Sequence, residues 1–183
     1  MLDLAHPLTE MLMDANAELP RILCVLFSEL VYGSRDPTNA TYMLNRGDAG
    51  LLQSLENVSA SAASKTDAGG ATIAAHVDHL TYGLSMLNRW AAGEPTPWKN
   101  ADWTASWQRR GVTGESWHAL RDDLRREADA WRSALQTQLG DTPTELGWVI
   151  GNIAHLAYHL GAIRQIDRAT KGPVAEDELP FQS

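Results

Sequence analysis

The 183-residue sequence has only one cysteine, two phenylalanines and 15 basic side chains against 23 acidic ones. The single cysteine, Cys24, excludes an intramolecular disulfide framework and a multi-cysteine zinc site. It lies in the apolar run 22–27, which predicts a buried, unreactive thiol. The net charge of −8 argues against a surface built to bind phosphate backbones or anionic lipid. We therefore expect neither a nucleic acid nor a membrane as a partner.

Long apolar runs and targeting signals are also missing. No apolar stretch reaches the roughly 18 residues needed to cross a bilayer. The first seven residues carry no lysine or arginine, so a secretory signal peptide is not expected, and we predict a cytoplasmic protein. Gly-rich phosphate loops, nucleophile elbows and CxxC pairs do not occur. The 44% hydrophobic content is that of an ordinary globular domain.

Apolar residues recur at helical spacing through most of the chain. Four long helices are predicted, over about 7–31, 72–90, 114–139 and 142–171, with a short one over about 48–58. Pro20 is expected to end or kink the first of them, because proline lacks an N–H. The small residues of 59–70 predict a linker. The last helix is apolar on most sides, so we expect it to be the most buried one.

The connection over 93–113 has no helical period and contains Trp98, Trp103 and Trp107. A connection this long allows the second and third long helices to run parallel. The predicted fold is therefore all-α, a four-helix bundle in up-down-down-up order with a long crossover between helices 2 and 3. The bundle domain covers 7–171 and is followed by an acidic C-terminal tail, 172–183. The three tryptophans are candidates for a lid or for a dimer contact.

Four of the six histidines lie on the two helices expected to be most buried. His155 and His159 are four residues apart, so they project from one helix face and can share a metal at ~2.0–2.1 Å per bond. His76 and His79 are three apart and nearly share a face. If the two helices pack together, at least one of this second pair completes a three-histidine metal site with open positions. The alternative is that all four are core residues hydrogen-bonded to carbonyls.

Other histidine chemistries have less support in the sequence. His6 and His118 are expected at the surface, near a terminus and a helix start. No glutamate follows His155, so the general base of zinc proteases is missing. The Glu-x-x-His ligands of di-iron bundles are absent from both helices. Bis-histidine haem is poorly supported, because no CxxCH is present.

Two segments resemble the DinB-like superfamily of metal-binding four-helix bundles. The first is TIAAHVDHL at 72–80, and the more specific second one is HLAYHLGAIRQ at 155–165. The resemblance implies an up-down-down-up bundle, often a homodimer, and a metal site made of His79, His155 and His159. His76 departs from the usual residue type at its position, which makes it either a group behind the ligands or an alternative ligand. The insertion between Gly33 and Gly47 is a second departure.

The superfamily is similar in fold to mycothiol-dependent maleylpyruvate isomerases and bacillithiol transferases. The resemblance implies a divalent metal, Zn or Ni with Fe or Mn as further options, and a low-molecular-weight thiol as co-substrate. The expected function is a metal-dependent thiol S-transferase or isomerase acting on a small-molecule substrate. Metal-dependent hydrolysis is the alternative reaction. A non-catalytic metal-binding or stress-response protein is the alternative from another class.

Three further side chains are candidates for catalytic roles. Tyr82, one turn beyond His79, and Tyr158, next to His159, are each either a proton shuttle or plain packing. Arg164 lies near the end of the apolar stretch, where it binds a substrate carboxylate or pairs with an acidic neighbour. These alternatives stay open at the level of the sequence.

Overall fold

The computed structural model describes residues 5–33, 41–45, 47–66, 69–137, 142–167 and 170, with side chains from residue 18 onward. All regular elements in these ranges are helical. The six α-helices are α1 (Ala5–Tyr32), α2 (Leu51–Glu56), α3 (Ala60–Ala63), α4 (Ile73–Ala91), α5 (Gly114–Thr137) and α6 (Pro143–Ile166). Two 3-10 turns, Pro97–Asn100 and Ala105–Trp107, lie between α4 and α5. None of the described helices is long and apolar enough to cross a membrane.

The long helices α1, α4, α5 and α6 form a bundle around one apolar core. α4 and α6 run in opposite directions. His76 near the start of α4 meets His159 in the second half of α6, and Trp90 at the end of α4 meets Trp148 near the start of α6. This antiparallel packing brings the histidine pairs of the two helices face to face.

The crossover, residues 92–113, lets α4 and α5 run side by side in the same direction. The Thr72 hydroxyl, just before α4, donates to the Arg109 carbonyl, just before α5, at 2.9 Å. Further along both helices, the Asn88 amide donates to the Glu127 carbonyl at 3.0 Å. The crossover therefore returns the chain along α4 before α5 begins.

α1 packs against α5 in the opposite direction. The Tyr32 hydroxyl donates to the Asp129 carboxylate at 2.6 Å, and earlier in α1 the Cys24 thiol lies 3.9 Å from the Arg132 carbonyl. α4 is thus antiparallel to α6 and parallel to α5, and α1 is antiparallel to α5. α1 and α6 therefore run in one direction and α4 and α5 in the opposite direction, which is the up-down-down-up order. Cys24 itself is half-buried, so the expectation of a buried thiol was wrong.

The structure corrects three helix boundaries. α1 does not end at Pro20 but continues through it, and Leu19 and Leu23 on either side of the proline pack against the core. Residues 59–70 are not a plain linker, since Ser59 caps the short α3 by accepting from the Ala62 N–H. α6 ends at Ile166, five residues before the expected end, because Asp167 adopts an extended conformation. The predicted tail 172–183 lies outside the described residues.

α6 is not the most buried helix, because one of its faces is open to solvent. Ile150 is 48% exposed and Tyr158 is 65% exposed. We call this face the α6 stripe; its exposed members are Gly147, Ile150, Gly151, Ala154, Tyr158 and Gly161. The sequence pattern showed an apolar helix, but it did not show whether the same chain covers every side.

The backbones of Gly33 and Gly50 approach each other closely. Gly33 has a positive φ of 82°, and a Cβ on Gly50 would lie 2.1 Å from the Gly33 nitrogen. Only glycine fits at Gly50, since the colliding atoms are backbone atoms. This contact holds the start of α2 against the end of α1 and brings Asp48 toward α6, where it pairs with Arg164.

Candidate metal centre

Three histidines on α4 and α6 form a group able to hold a metal ion. One ring nitrogen from each of His79, His155 and His159 lies within 4.8 Å of the other two. His155 Nε2 and His159 Nε2 are 2.9 Å apart. Tetrahedral zinc with ~2.0–2.1 Å bonds places its nitrogen ligands about 3.3 Å from one another. The three side chains therefore need only small movements to bind one divalent ion.

Local sequence signals place these side chains. Thr72 caps α4 by accepting from the Ala75 N–H at 3.0 Å, which fixes the start of the helix and the phase of His79. His155 and His159 face α4 together because they are one helical turn apart. The ring of His79 lies 5.2 Å, between centroids, from each of the other two. The helices thus bring together the three histidines that the family resemblance implies as ligands.

The fourth histidine of the cluster, His76, contacts a member of the group from behind. Its Nδ1 lies 2.8 Å from Nδ1 of His159, and both rings are buried. His76 is outside the group of three nitrogens that can share an ion. Of the two roles expected for His76, this geometry fits the group behind the ligands, because His159 keeps Nε2 for a metal.

The crossover covers the site from the other side. Trp107 stacks on His79 at 4.3 Å and at 24°, and it lies 5.4 Å from His159. Trp103 contacts His79 at 5.8 Å. The buried Ser106 hydroxyl lies 2.8 Å from Nδ1 of His79. Trp103 and Trp107 therefore pack over the histidines of their own chain, as expected of a lid.

The third crossover tryptophan has a different neighbour. Trp98 packs edge-on against Trp148 of α6 at 4.3 Å, away from the histidine cluster. Sequence reasoning singled out the tryptophans but missed Ser106 entirely. A serine in an aperiodic segment carries no signal of its own, and only the path of the crossover reveals its partner.

Burial keeps the histidines of the cluster uncharged at neutral pH. Burial, together with repulsion from the other rings, lowers the pKa of His159 to about 3. The same causes lower the pKa of His79 to about 4, although the nearby Asp78 carboxylate acts in the opposite direction. Burial also lowers the pKa values of His76 and His155. Neutral imidazole is the form that binds a metal, so the group is ready to do so at pH 7.

The three candidate catalytic side chains have different surroundings. Tyr158 is largely exposed, with its ring edge-on to His159 at 5.2 Å. The Tyr82 hydroxyl accepts from the Asp102 N–H at 3.1 Å and keeps its own proton for donation. Arg164 pairs with the buried Asp48 carboxylate at 3.1 Å and donates to the Ala49 carbonyl at 2.9 Å. Its contacts are thus those of the second alternative, pairing with an acidic neighbour.

One buried polar atom beside the site lacks a hydrogen bond. Asn152 Oδ1 has no partner among the described residues. Asn152 lies one turn before His155 and two turns before His159, so it belongs to the α6 face that packs on α4. A buried unpaired amide oxygen is costly and is often explained by a water or ligand at a functional site.

Comparison with known proteins agrees with this geometry. The family model of the DinB superfamily matches residues 43–163, about two thirds of the chain, and this range contains all four clustered histidines. No curated protein and no solved structure matches significantly. The match covers α2 to most of α6 together with the three-histidine group. The chain belongs to the DinB superfamily.

Proposed function

We propose that this protein is a cytoplasmic metal-dependent enzyme that transfers a low-molecular-weight thiol to a small electrophilic substrate. His79, His155 and His159 hold the metal, for which Zn²⁺ or Ni²⁺ is the first choice, with Fe or Mn as further options. Membership of the DinB superfamily and the three-histidine group support the metal site. The resemblance to thiol-dependent isomerases and transferases supports the thiol.

The observation that carries the catalytic proposal is the number of ligands. Structural zinc sites use four protein ligands, whereas catalytic sites use three and leave a position open. The group found among the described residues offers three nitrogens, with one on α4 and two on α6. His76, the nearest further histidine, uses Nδ1 to contact His159. The arrangement therefore supports a site with room for a water, a thiol or a substrate oxygen.

A bound divalent ion would act as a Lewis acid and lower the pKa of a thiol or water at the open position. In the transfer, a sulfur–carbon bond forms while the bond from carbon to the leaving group breaks. The leaving group departs with the bonding electron pair, and the thiol proton is released. Tyr158, whose ring lies edge-on to His159, is the proposed relay for this proton, with Tyr82 as the second candidate.

The test begins with metal content. Wild type, His155→Ala and the exposed-histidine control His118→Ala are purified without a His tag and analysed by inductively coupled plasma mass spectrometry. We expect near one equivalent in wild type and in the control, and none in His155→Ala. Absence of metal from wild type, even after reconstitution with Zn²⁺ and Ni²⁺, would show that the histidines are core residues and not metal ligands.

The reaction is tested next with the loaded protein. A low-molecular-weight thiol is offered with alkylating electrophiles, and the loss of free thiol is followed with His155→Ala as the blank. Metal-dependent thiol consumption supports the transferase. Hydrolysis of ester or amide substrates without thiol would replace it with the alternative reaction. Full metal loading without either activity would make the protein a metal-binding protein.

We also propose a homodimer that buries the α6 stripe. The stripe consists of apolar residues, most of them small, and its two largest members, Ile150 and Tyr158, remain 48% and 65% exposed. Light scattering after size exclusion should give twice the 20.1 kDa chain mass for wild type. Ile150→Glu should give the monomer while retaining helicity by circular dichroism. A wild-type monomer at micromolar concentration would overturn the dimer.

A further inference from the structure

The Ser106 hydroxyl has two hydrogen-bond partners, and their chemistry determines to which one it donates and from which one it accepts. Its hydroxyl lies 2.8 Å from the Trp103 carbonyl and 2.8 Å from Nδ1 of His79. A carbonyl only accepts, so the single hydroxyl proton goes to Trp103. Ser106 Oγ is then an acceptor toward His79, and Nδ1 of His79 must carry the ring proton. The Nε2 atom of the neutral ring is left with a free lone pair.

The ring of His79 is also held in rotation. Trp107, the next residue after Ser106, stacks on the imidazole at 4.3 Å and 24°. Stacking restricts the tilt of the ring, and the hydrogen bond at Nδ1 restricts its rotation about the side chain. The two contacts together fix the orientation of Nε2, and the rings of the other two histidines of the group lie 5.2 Å away, between centroids.

The segment that carries Ser106 is anchored to α4 on both sides. Ahead of it, the Asp102 N–H donates to the Tyr82 hydroxyl at 3.1 Å. After it, Arg109 pairs with Asp78 through Nε at 2.7 Å. The Arg109 carbonyl also accepts from the hydroxyl of Thr72. These anchors place the 3-10 turn Ala105–Trp107 directly over His79.

We propose that Ser106 is a positioning residue that holds His79 in the Nδ1–H tautomer, so that the crossover completes the metal site. This inference rests on the proposed function only in that His79 is a ligand. The crossover has no helical period and offers the metal no ligand of its own, yet the metal affinity depends on its conformation. Loss of a hydrogen bond that orients a ligating histidine typically weakens metal affinity 10–100-fold.

The decisive experiment reads the tautomer in metal-free protein. Long-range ¹H–¹⁵N spectra distinguish Nδ1–H from Nε2–H imidazoles, and the His79 signals are identified by their absence from His79→Gln. Wild type should show the Nδ1–H form alone. Ser106→Ala should populate the Nε2–H form and, in a chelator competition, bind Zn²⁺ 10–100-fold more weakly. Ser106→Thr, which keeps the hydroxyl, should restore both.

The matched control is Ser85→Ala, which removes a serine hydroxyl that donates to the Tyr82 carbonyl of its own helix at 2.7 Å and leaves the crossover untouched. We expect its His79 tautomer and zinc affinity to match wild type. The inference is overturned if Ser106→Ala keeps the pure Nδ1–H form, or if Ser85→Ala changes the tautomer equally. If wild type binds no metal, the proposed function fails, while the metal-free spectra still decide the role of Ser106.

Discussion

The Nδ1 atoms of His76 and His159 lie 2.8 Å apart in the interior between α4 and α6. One of these nitrogens donates to the other, because a hydrogen bond between two neutral rings needs one N–H and one lone pair. If His159 binds metal through Nε2, its Nδ1 carries the proton and His76 is the acceptor. An imidazole then occupies the place that a carboxylate or carbonyl takes behind most metal-bound histidines.

This relationship predicts a graded effect at His76. His76→Ala should weaken zinc affinity about 10–100-fold, because His159 loses the partner that orients it. His155→Ala removes a ligand and should abolish stoichiometric binding. Both are measured by chelator competition, with His118→Ala as the exposed control. Complete loss of metal from His76→Ala, equal to that of His155→Ala, would make His76 a ligand and contradict the arrangement described here.

The lowered pKa values of the cluster predict acid sensitivity of the metal-free protein. An unfolded histidine titrates near pH 6.5, whereas in the folded state the pKa is about 4 for His79 and about 3 for His159. At pH values between the folded and unfolded pKa values, the unfolded chain binds more protons than the folded chain. The contribution of these histidines to the free energy of unfolding is therefore full above about pH 6.5 and falls as the pH drops toward 4. Near pH 5.5, these two histidines alone should bind about two protons from solvent when the protein unfolds.

Urea unfolding of chelator-treated protein between pH 7.5 and 5.5 measures this dependence. That range limits the contribution of carboxylates, which titrate mainly at lower pH. The double variant His79→Gln, His159→Gln should lose the part of the slope that these two histidines contribute, while His76 and His155 keep theirs. A wild-type slope no steeper than that of the variant would show that His79 and His159 are not responsible.

The ion pair between Arg164 and Asp48 predicts a structural penalty. The Asp48 side chain is only 1% exposed, and its partner is 16% exposed. Arg164→Met should destabilise the protein by about 3–5 kcal/mol, because it leaves a buried carboxylate without its cation. The double variant Asp48→Asn, Arg164→Met should recover much of this loss in urea unfolding. If the double variant is stable but cannot turn over substrate, Arg164 has the carboxylate-binding role considered from the sequence.

The sequence predicts the helices and two of the candidate metal ligands because residue spacing alone determines both. Apolar spacing at 3.6 residues defines each helix, and the four-residue spacing of His155 and His159 places both on one face before any partner is known. The partners of these rings come from elsewhere in the chain. Ser106 reaches His79 only because the crossover returns along α4, and aperiodic segments carry no rule for their path. The exposed α6 stripe was missed because hydrophobicity does not reveal which surface covers it.

The unpaired oxygen of Asn152 predicts opposite effects on stability and ligand binding. Asn152→Leu removes a buried polar atom that has no partner and keeps a similar shape, so the metal-free protein should gain about 1 kcal/mol in urea unfolding. If the oxygen contacts a molecule bound at the metal, the same change should weaken thiol binding to the cobalt-substituted protein by about tenfold or more. The visible absorption of the cobalt-substituted protein measures this binding. Leu156→Ala, a change in the core of α6, should lower stability without this selective loss. Unchanged thiol affinity in Asn152→Leu would assign the oxygen to packing alone, because a group that contacts the bound thiol cannot be removed without altering its affinity.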